Sequence, residues 1–510
     1  MNRIHLIAAA AALVAAGAAQ ALTPAQIAAA RGAGTINEVR IGGASALRLS
    51  VAAYMKEICD TGTMHVYFQG SNAQSTGYRA YACNLGVQQG NFAVGTPVLV
   101  YKRDTGGSTQ GVKPVALNED QTHLKVADDG TCVVEAGNPG PVGAASPSEA
   151  NYVCSGTETT GIKPDAGISD VEPALLQAQV NLPTGQTALT SSQLAGMDVG
   201  SLVQALFGVV VNTKAYRALQ EAQGIIAPGA ALRDVPADQA TWTQADIDSI
   251  PSLPENFVRA AFTGQLLGGA PNAGARKGWN LVIPTTVDAN VVTKTLNVCR
   301  RTEGSGTQAT SNAFFANAGC LSGSLAYPVL GVAGSTGNAS TVNATVTTAP
   351  VLVQEGTGAG QVEDCVGRDV NVAADGDGIG YAIGYLGRES NPLRAGNDLG
   401  YRYVKLDGRA PLRDAAKAGG YPIVYEATMQ WNKTRVAPGS DLEAFLRALR
   451  SGFGSPNGLA AVDSDTQQGV MSPPSTYSGP FASATGNAAL FGSSVSRLAG
   501  QSCTGVRVVK

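Results

Sequence analysis

The chain has 510 residues, with 35 Lys and Arg against 38 Asp and Glu and only three histidines. A formal charge of −3 leaves no basic footprint for nucleic acid, and charged residues, at 14%, are about half as frequent as usual. The scattered His5, His65 and His123 argue against a histidine metal site, and the length calls for at least two domains or lobes with real cores.

The chain opens on Met1-Asn2-Arg3-Ile4-His5, then an Ala-rich apolar stretch from Leu6 to Ala19 and an Ala19-Gln20-Ala21 cleavage pattern. This describes a secretory leader over residues 1–21, and no cysteine near the cleavage point supports a lipid anchor. No later run offers about 20 uninterrupted apolar residues, so a periplasmic or secreted protein is expected. Eight cysteines in an exported chain imply four disulfides. Sequence proximity favours Cys59–Cys83, Cys132–Cys154 and Cys299–Cys320, leaving Cys365–Cys503. There is no C-x-x-C, which argues against a thiol redox motif or a zinc ribbon.

After a short helix from Thr23 to Arg31, Val39 to Ile41 reads as a strand ending in Gly42-Gly43-Ala44-Ser45. A helix from Leu47 to Ile58 and a strand from His65 to Phe68 follow, the start of an α/β sheet. Residues 86–164 are rich in Gly, Ser, Pro and Asn, with strand-like runs such as Val98 to Lys102, and read as a disulfide-stapled β-rich insertion. Further strands are expected at Leu206 to Asn212, Leu281 to Ile283, Leu296 to Arg301 and Gly380 to Leu386. Helices are expected at Pro254 to Thr263, Thr307 to Asn317 and Asp441 to Arg450, and a loop or ribbon over 331–348.

The most informative segment is Arg300-Arg301-Thr302-Glu303-Gly304-Ser305-Gly306-Thr307-Gln308. A strand delivers two guanidinium groups, and a Gly-Ser-Gly-Thr turn exposes N–H groups at the positive end of a helix. Arg301 can grip an oxyanion with two parallel bonds, Ser305 and Thr307 add hydroxyls, and Glu303 is placed to hold Arg301. Gly43-Ala44-Ser45-Ala46 forms a second N–H-rich cradle. Gly167-Ile168-Ser169-Asp170 puts a carboxylate at the end of an apolar strand, where it can accept a hydrogen bond from a protonated oxyanion such as hydrogen phosphate and repel fully deprotonated sulfate. Gly378 to Tyr385 is a Gly/aromatic strand of a type that crosses between lobes. Tyr101 to Ser108 echoes Cys299 to Gly306, too briefly to indicate duplication, and Arg103-Asp104 reads as a surface ion pair. Trp242, Trp279 and Trp431 read as packing residues, and Arg48 is a further candidate for the cleft.

Taken in order, these segments resemble the periplasmic phosphate-binding proteins of ABC transporters, in the type II solute-binding superfamily. The resemblance rests on Gly43-Ala-Ser45, Tyr67-Phe-Gln-Gly-Ser71, Gly167-Ile-Ser-Asp170, Val209-Val-Val-Asn212, Ala261-Phe-Thr-Gly-Gln265, Arg301-Thr-Glu-Gly-Ser-Gly-Thr307 and Gly378 to Tyr385. It implies an α/β fold of two lobes joined by a hinge. Lobe I would comprise residues 22–208 with 386–510, including the insertion, and lobe II residues 209–385. It implies further that Ser45 and the Ala46 amide donate from one side, that Arg301, Ser305, Gly306 and Thr307 donate from the other, and that Asp170 accepts the ligand's proton. A serine after Gly70 completes the set: Ser71, with Ser75 as its alternative. The family's aromatic after the first turn is Ala46 here, which widens the pocket, and Glu303 stands where the family has Asp.

The leading expectation is an exported protein that captures phosphate or a similar tetrahedral oxyanion, without a cofactor or metal. It would act as a monomer, with an ABC transporter permease as partner. Two alternatives compete: a surface or structural interaction protein on the same fold, and a secreted phosphatase. The phosphatase reading lacks clustered metal ligands and an intact Gly-x-Ser-x-Gly.

Overall fold

The computed structural model describes residues 22–71, 76–135, 150–263, 278–320, 339–342, 351–367, 380–393, 398–466, 469–497 and 502–510. The leader, Ser75, Gln265, Gly378 and most of 331–348 lie outside the described residues.

The strands that position the site run in chain order as β1 (Asn37–Gly43), β2 (His65–Phe68), β3 (Tyr78–Asn84), β4 (Pro97–Arg103), β5 (Ala166–Ser169) and β6 (Met197–Asn212). They continue as β7 (Leu296–Arg301), β8 (Val351–Gly356), β9 (Tyr381–Gly387) and β10 (Val424–Asn432). Three helices start near the site: α1 (Arg48–Ile58), α2 (Gly306–Ala316) and α3 (Ala359–Gly367). Hydrogen bonding orders the strands as β8-β7-β9-β6-β10-β5-β1-β4-β3-β2.

The long strand β6 makes two lobes out of this order. Residues from Met197 to Leu206 pair antiparallel with β10, whereas Phe207 to Val211 pair antiparallel with β9. One strand therefore serves two sheets, and its sequence shows why: Leu202 to Val203 and Ala205 to Val211 are apolar or glycine, broken only at Gln204, and buried throughout. In the first sheet β1 lies between β5 and β4, parallel to both. In the second, β7 lies between β8 and β9, again parallel to both. Parallel strands covered on both faces read as continuous apolar runs, and Val98-Leu99-Val100-Tyr101 of β4 is one.

That corrects the reading of residues 86–164 as an insertion. Pro97 to Arg103 is a core strand beside β1, and the Ser108–Gly111 turn and Lys113–Leu117 helix that follow belong to the site side of the same lobe. The stapled extension proper is smaller: Cys132–Val134 and Asn151–Cys154 pair with each other and extend the sheet beyond β2. The strand expected at Leu281 to Ile283 is instead a 3-10 turn, Trp279–Leu281, closed before Pro284 by Ile283 N donating to Trp279 O at 2.8 Å.

Disulfides Cys59–Cys83 and Cys132–Cys154 form as sequence proximity suggests. The other two differ: Cys299 pairs with Cys365 and Cys320 with Cys503. Strand alternation explains the exchange. Leu296 and Val298 face the core that takes Ala309 and Phe315 of α2, the helix leading to Cys320. Cys299 points to the opposite face, among Ala359, Val362 and Cys365 of α3.

Non-reducing peptide mapping is expected to recover Cys299–Cys365 and Cys320–Cys503, and no Cys299–Cys320 peptide. Replacing Cys320 and Cys503 together by Ala opens a link between residues 183 apart. It should cost about 3 kcal/mol in a urea melt.

Candidate functional site

Arg301, the last residue of β7, is 1% exposed. Its guanidinium donates to Gly356 O from Nε (3.2 Å), to Ser45 Oγ from Nη1 (2.9 Å) and to Thr357 O from Nη2 (2.6 Å). These bonds leave two of its five N–H groups for a ligand. Burial pulls its pKa down to about 10, against which the Asp170 carboxylate acts, so the group stays cationic at neutral pH. Glu303 does not hold it. That carboxylate instead accepts from the Thr184 amide at 3.0 Å, and two backbone carbonyls of the β8 end do the holding.

Beyond Arg301 the chain turns through Gly304, at φ +82, into α2. Ser305 caps the helix, its Oγ accepting from Gln308 N at 3.3 Å, while its hydroxyl proton stays available to an acceptor in the cleft. Gly306 and Thr307 form the first turn, both buried. Thr307 Oγ1 donates to Asp170 Oδ2 at 3.1 Å across the lobe boundary.

The opposite wall begins at the end of β1. Three glycines let backbones meet there without side chains between them. A Cβ on Gly43 (φ +95) would sit 2.1 Å from Ile168 O, and one on Gly167 would sit 1.8 Å from Gly111 O. This close approach brings Ser45, the Ser108 turn and Asp170 to one point. Ser45 and Ala46 are both buried, and Arg48 donates back to Ser45 O at 3.3 Å. Glu389, just past β9, accepts from Ser50 N at 2.7 Å and so occupies the first turn of α1; burial pushes its carboxyl up to about 7.

Asp170 is 1% exposed, and burial raises its pKa despite Arg301, Thr307 and Lys102 nearby. Its amide donates to Ser108 Oγ at 3.0 Å. One carboxylate oxygen, Oδ2, takes the Thr307 hydroxyl; the other, Oδ1, is buried with no hydrogen-bond partner among the described residues. A buried acceptor without a donor is a costly arrangement, and a ligand that brings a proton removes the cost.

Ser108 is the residue that sequence reasoning missed. It is fully buried against Asp170 and Gly306, whereas Ser71 is exposed at the end of β2 and is not brought to this cluster. The signal was the echo between Tyr101 to Ser108 and Cys299 to Gly306. Each is a strand running into a glycine turn, and the two turns face each other, with Thr109 N donating to Gly304 O at 3.0 Å. Asp104 is likewise no surface partner of Arg103. It is buried and pairs with Lys102 at 2.5 Å and with Arg79. Arg48 lines the cleft, in a cavity of about 310 Å³ that also touches Ser45, Thr105 and Thr357.

Among the described residues no group of three or more His, Cys, Asp or Glu is placed to hold a metal. His65 Nδ1 accepts from Ala150 N at 2.8 Å and His123 Nε2 lies 3.1 Å from Gln121 Oε1; both rings are buried, and His123 Nδ1 has no hydrogen-bond partner among the described residues. Trp279 and Trp431 are fully buried in the core and Trp242 packs against it. No helix among the described residues is long and apolar enough to cross a membrane.

Gly306→Ala tests how tightly the two turns close. A Cβ there would lie 2.3 Å from Ser108 Oγ and 2.7 Å from the Asp170 Cβ. The variant should lose about 1–3 kcal/mol in a urea melt, as overpacked sites do.

No protein-family profile and no curated protein matches this chain. Among solved structures it is similar to a putative phosphate ABC transporter substrate-binding protein with bound phosphate from Clostridium perfringens, at 11% identity and TM-score 0.38 over 84% of this chain and 98% of that one. It is similar too to a phosphate-binding protein from Stenotrophomonas maltophilia, at 12% identity and TM-score 0.36 over 85% and 92% of the two chains. An ABC-type phosphate transport receptor from Vibrio cholerae matches at 11% identity and TM-score 0.33, over 84% of this chain and 98% of the other.

Proposed function

We propose that this is an exported binding protein that encloses a protonated tetrahedral oxyanion, hydrogen phosphate foremost, between its lobes and passes it to an ABC-type uptake system. The observation that carries the reading is the pairing of opposites at one buried point. Arg301 keeps N–H groups to give, and Asp170 Oδ1, with no partner, has room to accept. Hydrogen phosphate satisfies both at once, whereas sulfate satisfies Arg301 and meets Asp170 with a second negative charge.

Ser45 and the Ala46 amide would donate from lobe I, with Ser108 beside Asp170, and Ser305, Gly306 and Thr307 from lobe II. The partner change along β6 at Leu206 to Phe207 supports dividing the lobes near 208 and again near 386, where β9 ends. Four disulfides support a location outside the cytoplasm, the periplasm or beyond, for a leader-processed monomer. The role is capture and release, not turnover.

Titration calorimetry of the ligand-stripped protein is expected to show phosphate binding and no sulfate binding at pH 8. Arg301→Ala should weaken phosphate by about 30-fold or more, since truncating one partner of a buried charged set costs at least about 2 kcal/mol. Asp170→Asn should admit sulfate. Because burial raises the Asp170 pKa, its acceptor form is present above that value and is lost as pH falls through it. Wild-type rejection of sulfate is therefore expected to fade as pH is lowered in a competition assay. No heat with any oxyanion, in a folded protein, would overturn the reading.

A further inference from the structure

The cavity beside the Arg301–Ser45 pair is far larger than the anion that pair can grip. Its volume is about 310 Å³. A water claims about 30 Å³ of liquid, and about 300 Å³ is where pockets for organic ligands begin. A bare phosphate fills only a fraction of such a space. The cavity also shares two wall residues with the hydrogen-bond set of Arg301. Ser45, which takes the Arg301 Nη1 bond, forms part of its wall, and so does Thr357, whose carbonyl takes the Nη2 bond.

The wall chemistry narrows what could fill it. Among the described residues no aromatic or large aliphatic side chain lines the cavity, so these offer no stacking surface for a base and no apolar wall for an acyl chain. Its charged side chains among the described residues are Arg48 against Asp104 and Asp364, which is no cationic surplus for a second phosphoryl group. What remains is hydroxyl and amide: Thr76, Thr105, Thr357, Gln361 and glycine backbone, contributed from both sides of the cleft.

We propose that the protein's ligand class extends to phosphomonoesters of small polyols, with the phosphoryl group at Arg301, Ser45 and Asp170 and the polyol in this cavity. The proposal rests on the oxyanion reading above and extends it outward from the same point. It also carries a condition. Asp170 Oδ1 needs a proton from the ligand, and a monoester loses its last phosphoryl proton at a pKa of about 6, whereas hydrogen phosphate keeps one throughout the neutral range. The monoester binds as its monoanion.

The experiment is calorimetry of the full-length, ligand-stripped protein with inorganic phosphate, methyl phosphate, glycerol 3-phosphate and glycerol, at pH 6 and pH 8. At pH 6 glycerol 3-phosphate should bind at least tenfold more tightly than methyl phosphate and displace phosphate, with glycerol alone silent. At pH 8 its affinity should fall tenfold or more while phosphate holds, and Asp170→Asn should remove that fall. Gly358 supplies a plug: a Cβ there meets nothing within 4 Å, so Leu can project into the open space. Gly358→Leu should weaken glycerol 3-phosphate tenfold or more and leave phosphate within twofold. Phosphate binding without glycerol 3-phosphate binding overturns the proposal and leaves the oxyanion reading standing. So does equal affinity for methyl phosphate and glycerol 3-phosphate, a result that needs no variant to fold. Failure of every phosphate to bind strikes the oxyanion reading itself.

Discussion

A guanidinium at 1% exposure is the constraint around which this site is built. Removing a charge from water costs several kcal/mol unless dipoles and counter-charges replace the lost hydration. For Arg301 the replacements come from three places: the carbonyls of Gly356 and Thr357 at the end of β8, the Ser45 hydroxyl at the end of β1, and the field of Asp170 at the end of β5. The supports therefore lie at the carboxyl ends of parallel strands from both sheets, the edge at which an open α/β sheet gathers ligand-binding groups. Neighbouring charges follow the same rule. Lys102 and Arg79, both buried, converge on Asp104, and Lys102 also donates to the carbonyl of Gly43 in the anion turn. The lobe I wall is thus braced by a buried ionic group directly behind it.

Such a cluster is unhelpful for stability and useful for geometry. Each carboxylate here is held above its ordinary pKa by burial where the shift is resolved: Asp170 and Glu389 are raised, and Glu389 reaches about 7. A site built only for stability would have apolar groups of the same volume at these positions. Keeping the carboxylates fixes which protonation state of a ligand fits. The aromatic and aliphatic cores on either side then make the arrangement rigid: Phe207 stacks on Tyr385 at 5.6 Å where β6 and β9 carry the chain between sheets.

How much of this the sequence disclosed depended on whether a signal was local. Leu296 to Arg301 followed by Gly-Ser-Gly-Thr shows a strand, a turn and a helix start within a dozen residues, and β7 with α2 forms accordingly. The strand at His65 to Phe68 is equally local. Ser108 was illegible for a different reason. It reaches Asp170 only because Gly43, Gly111 and Gly167 let three backbones touch, an encounter between positions more than 50 residues apart. The cysteine pairing failed on a periodicity argument that was available: alternation along Leu296, Val298 and Cys299 puts the cysteine on the α3 side. Burial of Asp104 was hidden because a charged residue inside a glycine-rich stretch looks solvated until Arg79 arrives from another strand.

The same contacts also describe how the two sides are joined. Arg301 to Ser45, Thr307 to Asp170, Thr109 to Gly304 and Asn312 to Asn181 are all single hydrogen bonds across the cleft, each separable at modest cost. The Cys320–Cys503 bond is not. It ties the segment after α2 to a C-terminal segment whose Ser502 amide donates to Glu172, two residues past Asp170. The Asp170 and Thr307 sides are therefore covalently stitched near one corner, while the described contacts on the Ser45 and Arg301 sides are hydrogen bonds and the Arg48–Glu363 ion pair at 3.8 Å. The 310 Å³ cavity borders this Ser45 side.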